Sequence, residues 1–323
     1  MLANEQIHTS ILQTIGQTPI IELKRLCSNM PVTIFAKAEY LNPTGSMKDR
    51  IALKIIEDAE HSGHLKLGKS VLEITSGNTG ISLAMVCAIK GYKFTAVMSA
   101  GNSLERKQIL EALGATVIIV PQHKGGKPGQ VTYEDLKLVE EKGRELAKEQ
   151  NVFFADQFNN FSNVVSHTQT TGKEIWEQMN KQLDFFVDVV GTGGTFVGTA
   201  CALKNFNPHI QCIVVEPYTA PILAGKAISN PEHKLQGSSY AMIPPLWNPA
   251  YCDGFLTVTD QEAIETTRLL AQKEGIFVGY TAGGNVAAAM KLAQTADPGT
   301  RILTILCDSG MKYLSTDLFK SQN

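Results

Sequence analysis

The chain has 323 residues, 43% of them hydrophobic and 19% charged, with a formal net charge of −2. That length suggests two domains or one large α/β unit, and the apolar content excludes disorder for the bulk of the chain. With 29 basic against 31 acidic residues, no excess charge draws the chain onto nucleic acid or anionic lipid.

Periodicity predicts strands alternating with helices along nearly the whole length. In chain order the expected elements are strand Thr33–Tyr40, helix Asp49–His61, strand Ser70–Ile74, helix Thr79–Ile89, strand Phe94–Met98, helix Leu104–Leu113 and strand Thr116–Val120. Then come helices Tyr133–Glu149 and Gly172–Met179, strand Phe185–Val190, helix Phe196–Asn205 and strand Gln211–Val215. Helices Gln261–Lys273 and Asn285–Gln294 and strand Arg301–Leu306 complete the series. Short apolar runs separated by helices signal parallel sheets covered on both faces, hence an α/β fold. Pro121–Val131 and Glu216–Pro249 break the rhythm and read as loops, the second long enough to be functional. The longest apolar run, Ile81–Ile89 with one serine inside, is far short of the ~20 residues a membrane span needs. No signal peptide is visible at Met1–Ser10, and the six cysteines form no C-x-x-C pair. The expectation is a cytoplasmic protein with free thiols, no disulfide frame and no metal site.

Two glycine-rich segments compete as phosphate sites. Gly63-His-Leu-Lys-Leu-Gly-Lys-Ser70 matches a P-loop in letters, but it leaves a helix and enters a strand, the reverse of what the motif requires. It is rejected. Val189-Val-Gly-Thr-Gly-Gly-Thr195 follows a strand and opens a helix, where backbone N–H groups and threonine hydroxyls can meet an anion. A dinucleotide site is the rival, with Glu216 as its ribose acid, but Phe196 stands where the third glycine should be.

Lys48, in Asn42-Pro-Thr-Gly-Ser-Met-Lys-Asp-Arg50, falls in the first turn of a helix with Ser46 as the expected cap. The helix dipole there favours the neutral, nucleophilic amine. The ordinary alternative is a solvated lysine. Glu73-Ile-Thr-Ser-Gly-Asn-Thr-Gly80 also follows a strand and opens a helix, offering hydroxyls, an amide and free N–H groups to a carboxylate. Its ordinary alternative is an over-provided helix cap. A phosphate cup, a carboxylate clamp and an amine nucleophile together are what an amino acid on pyridoxal phosphate requires.

These segments resemble the cysteine synthase / cystathionine β-synthase family, pyridoxal-phosphate enzymes of fold type II, with cysteine synthase the nearer pattern. The likeness runs from Gly16-Gln-Thr-Pro19 to Tyr313-Leu-Ser-Thr316. It implies a two-domain architecture, each domain a largely parallel sheet flanked by helices. Residues 42–158 would form a smaller mobile domain; 1–41 and 159–323 would form a larger cofactor domain. By this resemblance Lys48 is the catalytic residue and holds pyridoxal 5'-phosphate as a Schiff base. Asn78 would meet the cofactor's phenolic oxygen, and Gly191, Thr192, Gly193, Gly194 and Thr195 would cup the phosphate. Thr75, Ser76 and Thr79, joined by Gln157, would hold the substrate carboxylate. Ser309 would meet the pyridine nitrogen, with Asp308 beside it as the residue that could alter this.

The resemblance further implies a homodimer acting on a small amino-acid substrate and a sulfur nucleophile, with no nucleic-acid or membrane partner. The reaction implied is β-replacement on an O-activated serine through aminoacrylate, with O-acetylserine and sulfide giving cysteine. Cystathionine synthesis, or another replacement with a larger nucleophile, is the alternative within the class. A catalytically silent, partner-binding homologue is the remote one. The pattern departs from the family at Gly237-Ser-Ser-Tyr-Ala-Met-Ile-Pro244, where Ser238, Ser239 and Tyr240 add hydroxyls beside the second substrate.

Overall fold

Strand and helix alternate through most of the computed structural model, which describes residues 7–75, 77–102, 104–125, 131–235, 237–238 and 242–320. The first half contains β1 (Ile20–Glu22), β2 (Thr33–Lys37), α1 (Lys48–His61), β3 (Ser70–Ile74), α2 (Asn78–Lys90), β4 (Lys93–Ser99), α3 (Leu104–Ala112) and β5 (Thr116–Val120). It continues with α4 (Tyr133–Leu146), β6 (Val152–Phe154), α5 (Ser162–Gln169) and α6 (Thr171–Gln178). The second half contains β7 (Phe185–Val189), α7 (Gly194–Phe206), β8 (Gln211–Pro217), β9 (Gly254–Val258), α8 (Asp260–Leu269), α9 (Tyr280–Ala293) and β10 (Arg301–Ile305).

The strands form two sheets. One has six strands in the order β1-β2-β10-β7-β8-β9, parallel throughout except for the antiparallel β1–β2 pair. The other has four strands in the order β5-β4-β3-β6, all parallel. Parallel sheets need cover on both faces, and β10 shows how the sequence supplies it. Leu303 and Ile305 face the apolar cluster built with Phe196, Ala200 and Leu203 of α7. Ile302 and Leu306 face the opposite cluster, with Ala282, Val286 and Ala289 of α9. In the smaller sheet, Ile81–Cys87 is buried throughout, because α2 is wedged between Val71 and Phe94 of the strands and Ala52, Ile55 and Ile56 of α1. That burial explains an apolar run too short for a membrane. No described helix is long and apolar enough to cross one.

Four elements escaped the pattern. β1 and β6 are three residues each, too short to show alternation. β9 follows the irregular stretch that begins at Glu216, where no element was expected. α5 escaped because the face it buries is mostly polar: Asn163, Ser166 and His167 are inside beside a single apolar residue, Val164, so hydrophobic periodicity has little to register. The rejected Gly63–Ser70 segment is the turn from α1 into β3, with Gly63 at φ +74°.

Candidate active site

In a parallel sheet the carboxyl ends of the strands and the first turns of the following helices gather on one side, and ligands bind there. Here α2 opens after β3 and α7 after β7, and the first turn of α2 and the loop leading into α7 reach an open cavity of about 620 Å³. Lys48, Asn78, Thr79, Gln157, Gly191 and Thr192 all line it.

Lys48 is the first residue of α1, and its backbone N–H donates to Ser46 Oγ at 3.3 Å. The residue is 9% exposed, which sets aside the ordinary alternative of a solvated lysine. Burial lowers the pKa of its ammonium, against the pull of Cys307, Asp188 and Asp308. Its neighbours fix the helix start from two directions. Asp49 accepts from Ser82 Oγ of α2 at 2.6 Å and from the Thr44 N–H at 2.8 Å. Arg50 bridges Glu39 at 2.7 Å and Glu174 of α6 at 2.6 Å, and Lys37 bridges Glu174 at 2.7 Å. Breaking one partner of such a buried network leaves an uncompensated charge, which holds Lys48 in register with the six-stranded sheet.

The segment after β3 is built around a threonine. Thr75 Oγ1 accepts from the backbone N–H groups of Gly77 and Gly80, each at 3.0 Å. A Cβ on Gly80 would stand 2.5 Å from Thr75 Cγ2, so the contact requires glycine. Thr79 Oγ1 donates to Gln157 Oε1 at 2.6 Å, and Gln157 Nε2 donates to the Ile74 carbonyl at 3.2 Å. The predicted clamp residues Thr75, Thr79 and Gln157 are thus assembled and buried. Ser76 lies outside the described residues.

The glycine loop after β7 is a backbone cradle. A Cβ on Gly191 would meet the Gly237 carbonyl at 2.4 Å, and one on Gly194 would meet Asn163 Oδ1 at 1.9 Å. Gly193 has φ +92° and makes no side-chain cap, which leaves the first-turn N–H groups of α7 to a ligand. Thr192 Oγ1 accepts from Asn163 Nδ2 at 2.9 Å, and Thr195 Oγ1 lies 3.2 Å from His167 Nε2. Burial, reinforced by Lys48 and Arg50, lowers the His167 pKa to about 3, so the ring is neutral. The rival ribose acid, Glu216, instead accepts from the N–H groups of Leu223 and Ala224 at 2.8 and 2.9 Å, holding its own loop.

Ser309 is not brought into the cavity. Its hydroxyl caps the short 3-10 turn Gly310–Tyr313 by accepting from the Met311 N–H at 3.3 Å. Thr281 and Asp308 line the cavity instead. Thr281 stands in the first turn of α9, a helix start like those of α2 and α7. It lies in Gly279-Tyr-Thr-Ala-Gly283, a segment in which the sequence departs from the family pattern it resembles; no strand directly precedes α9, and a π-helical turn, Leu270–Glu274, comes before it instead. Arg106, which also lines the cavity, stacks over the Tyr313 ring at 5.2 Å. In the pocket segment, Ser238 lines the cavity and donates to the Leu235 carbonyl at 2.7 Å; Ser239 and Tyr240 lie outside the described residues.

Comparison with known proteins gives a consistent picture. Residues 11–308 match the model of the family described as pyridoxal-phosphate dependent enzyme. The chain is 40% identical over 314 residues to O-ureido-L-serine synthase of Streptomyces lavendulae, covering 97% of this chain and 93% of that one. It is 39% identical over 311 residues to cysteine synthase of Staphylococcus aureus, covering 96% of each. The crystal structure of cysteine synthase from Entamoeba histolytica superposes with a TM-score of 0.92 at 33% identity, over 99% of this chain and 93% of that one. The α/β architecture is that of fold type II.

Proposed function

The chain belongs to the family of pyridoxal-phosphate dependent enzymes, and from that premise we propose that it catalyses β-replacement on an O-activated serine, forming cysteine from O-acetylserine and sulfide. The observation that carries this reading is the convergence of Lys48, the Thr79–Gln157 pair and Gly191 and Thr192 of the glycine loop on one cavity. The residues present fit the cofactor. Cβ atoms at Gly191 and Gly194 would collide with the Gly237 carbonyl and Asn163, so glycine there holds the shape of the loop, and the uncapped start of α7 favours a phosphate.

In this reading Gly191, Thr192, Gly193, Gly194 and Thr195 hold the phosphate, Lys48 is the point of covalent attachment, and Asn78 meets the phenolic oxygen. Thr281 takes the place of Ser309 at the ring nitrogen, since its residue reaches the cavity and Ser309 does not. When bound, the cofactor supplies an electron sink for the α-carbon of the amino acid. Lys48 takes the α-proton at Nζ and returns it after the nucleophile has joined the β-carbon; its burial favours the neutral amine this needs. Thr75, Ser76, Thr79 and Gln157 orient the substrate carboxylate with neutral donors, adding no charge that would compete with the phosphate cup. A neutral hydroxyl at the ring nitrogen suits loss of a β-substituent, which requires no long-lived carbanion. The same reading has 42–158 closing over the substrate to exclude water, and two copies of the chain pairing in the cytoplasm.

A larger nucleophile is the second reading. Arg106 and Ser238 on the cavity wall favour it, because bare sulfide needs neither a guanidinium nor a hydroxyl. The test is product formation from serine, O-acetylserine and O-phosphoserine with sulfide, homocysteine or hydroxyurea, followed by mass spectrometry. Highest kcat/KM for O-acetylserine with sulfide supports the first reading. A preference for a larger partner selects the second, and no turnover of any O-activated serine overturns both.

A further inference from the structure

Two buried polar side chains of α5 stand behind the glycine loop and have no part in the proposed mechanism. Asn163 and His167 are fully buried and lie four residues apart, on one face of the helix. That face is held against α7 at close range. A Cβ on Gly198 would stand 2.4 Å from the Val164 carbonyl oxygen and 2.9 Å from His167 Cβ.

Asn163 gives both N–H bonds of its amide away. Nδ2 donates to the Gln157 carbonyl and to Thr192 Oγ1, each at 2.9 Å. A flipped amide would set Oδ1 against the Gln157 carbonyl, so that contact fixes its orientation. Asn163 Oδ1 is left buried with no hydrogen-bond partner among the described residues, a cost that the two N–H bonds offset. Thr192 Oγ1 therefore receives a proton from behind and keeps its own O–H for an occupant of the cavity, which Thr192 lines.

His167 does the same for Thr195. Its Nδ1 lies 2.9 Å from Thr171 Oγ1 and its Nε2 lies 3.2 Å from Thr195 Oγ1. The ring is neutral, so one nitrogen donates and the other accepts. Thr171 decides which. It is fully buried, and its hydroxyl has no other hydrogen-bond partner among the described residues. Its proton therefore goes to Nδ1, and Nε2 carries the ring proton toward Thr195 Oγ1. The opposite tautomer would strand the Thr171 proton in a dry site. The direction continues one step further: Thr195 Oγ1 donates to Met47 Sδ at 3.6 Å. A thioether is a weak acceptor, and Met47 lines the cavity. The Thr195 proton is thus loosely held, and a stronger acceptor can claim it.

We infer that Asn163 and His167 are positioning residues that set the polarity of the phosphate cup: each donates an N–H to a threonine oxygen, so that Thr192 and Thr195 present protons, and not lone pairs, to an anion. The inference rests on the reading in which the Gly191–Thr195 loop holds the phosphate. Backbone N–H groups can only donate, but a threonine hydroxyl is ambivalent. Turned the wrong way it would oppose a lone pair to a charged oxygen.

Two measurements on the full-length, cofactor-free chain test this, and neither depends on turnover. The first is long-range proton–nitrogen NMR of the histidine-labelled parent, which should show His167 neutral with its proton on Nε2. Its resonance is the one lost in His167→Gln; Thr195→Val, which perturbs the same ring, identifies it should that variant not fold. A proton on Nδ1 overturns the inference for His167. The second is fluorescence titration with pyridoxal phosphate and with pyridoxal, using the parent, His167→Leu, Asn163→Leu, Thr195→Val, Thr192→Val and the pairs His167→Leu/Thr195→Val and Asn163→Leu/Thr192→Val. Each single variant should bind pyridoxal phosphate about tenfold more weakly, the value of one charge-assisted hydrogen bond, and pyridoxal as the parent does. Each pair should stay within about twofold of its threonine variant, because the α5 residue acts through that hydroxyl. Additive losses, or equal losses for pyridoxal, would make the α5 residue scaffold only and overturn the inference. If His167→Leu or Asn163→Leu fails to fold, the same comparison is made with His167→Gln or Asn163→Asp. Equal affinity of the parent for pyridoxal and its phosphate would overturn the phosphate reading of the loop itself.

Discussion

Asn78 and Asp308 are separated by 230 positions in the chain, yet Asn78 Nδ2 donates to Asp308 Oδ2 at 2.7 Å. The bond joins the first residue of α2, which follows the four-stranded sheet, to a residue just after β10 of the six-stranded sheet. Lys312 Nζ donates to the other end of the amide, Asn78 Oδ1, at 2.8 Å. The amide is therefore fixed in one orientation, since a flip would oppose donor to donor and acceptor to acceptor. Asp308→Ala removes the acceptor from Asn78 and from the Tyr313 hydroxyl, which donates to the same oxygen at 2.7 Å. Each buried group left unpaired costs about 1–3 kcal/mol. Denaturant melts of the cofactor-free chain should show the loss; equal stability would mean that the amide has found another acceptor.

Lys48→Ala should keep the fold, because a desolvated amine contributes little to a core it would rather leave. Borohydride treatment of the parent with added pyridoxal phosphate should fix the cofactor to the peptide containing residue 48. In the variant no such adduct should form. An adduct on the same peptide, or an unfolded variant, contradicts the expectation.

Gly194→Ala places a Cβ where Asn163 Oδ1 now is, 1.9 Å away. Asn163 also holds Thr192 Oγ1 and the Gln157 carbonyl, each at 2.9 Å, so the displacement disturbs the phosphate cradle and the carboxylate clamp together. Cofactor affinity should fall at least about tenfold, which corresponds to about 1.4 kcal/mol, and amino-acid KM should rise with it. Fluorescence titration with pyridoxal phosphate measures the first effect, and unchanged binding would remove the cradle from the proposed site.

Thr281→Val and Ser309→Ala separate two candidates for the ring nitrogen. The threonine variant should lose cofactor affinity by the value of one neutral hydrogen bond, about 0.5–1.5 kcal/mol. The serine variant should lose about 1 kcal/mol of stability with its cap and keep its cofactor affinity. The reverse result would restore Ser309 to the site.

His167 gives a pH signature. Its folded pKa of about 3 lies below the unfolded value of about 6.5, so the unfolded chain binds more protons and stability falls as pH drops below 6.5. Asp188 acts in the opposite sense: its raised pKa of about 7 makes stability fall as pH rises from about 4 toward 7. The two slopes oppose each other in the parent. The stability difference between parent and His167→Gln should then shift by up to about 1.4 kcal/mol per pH unit between 6.5 and 4.5, in favour of the variant at acid pH. A pH-independent difference would show that the ring titrates normally.

The α/β class and most of its strands were legible because β3, β4, β5, β7, β8 and β10 are apolar runs bounded by turns. The two helix starts that directly follow strands, at Asn78 and Gly194, were legible for the same reason. What stayed hidden shares one physical cause: its signal is polar or long-range. α5 buries Asn163 and His167, which no hydrophobic pattern reveals, although both support the phosphate cradle. Asp188 is a single charge inside the apolar run Phe185–Val190. Ser309 caps the turn Gly310–Tyr313 while its neighbour Asp308, which the sequence offers as the residue that could alter this contact, lines the cavity, because a shift of one residue along an extended segment reverses the face.

The glycine loop is pressed against the irregular segment on its far side as well as facing the cavity. Gly191 leaves no room for a Cβ because of the Gly237 carbonyl, and a Cβ on Gly193 would lie 3.1 Å from backbone atoms of Leu246 and Trp247. The first contact falls on Gly237–Pro244, where the sequence departs from the family pattern it resembles, and the second falls just beyond it. A backbone displacement there, by an inserted residue or an altered turn, therefore reaches the phosphate cradle before it reaches any nucleophile. Divergence toward a new second substrate is accordingly channelled into exchanges of side chains at fixed backbone, and a lineage that changed the length of this stretch would have to rebuild its hold on the cofactor at the same step.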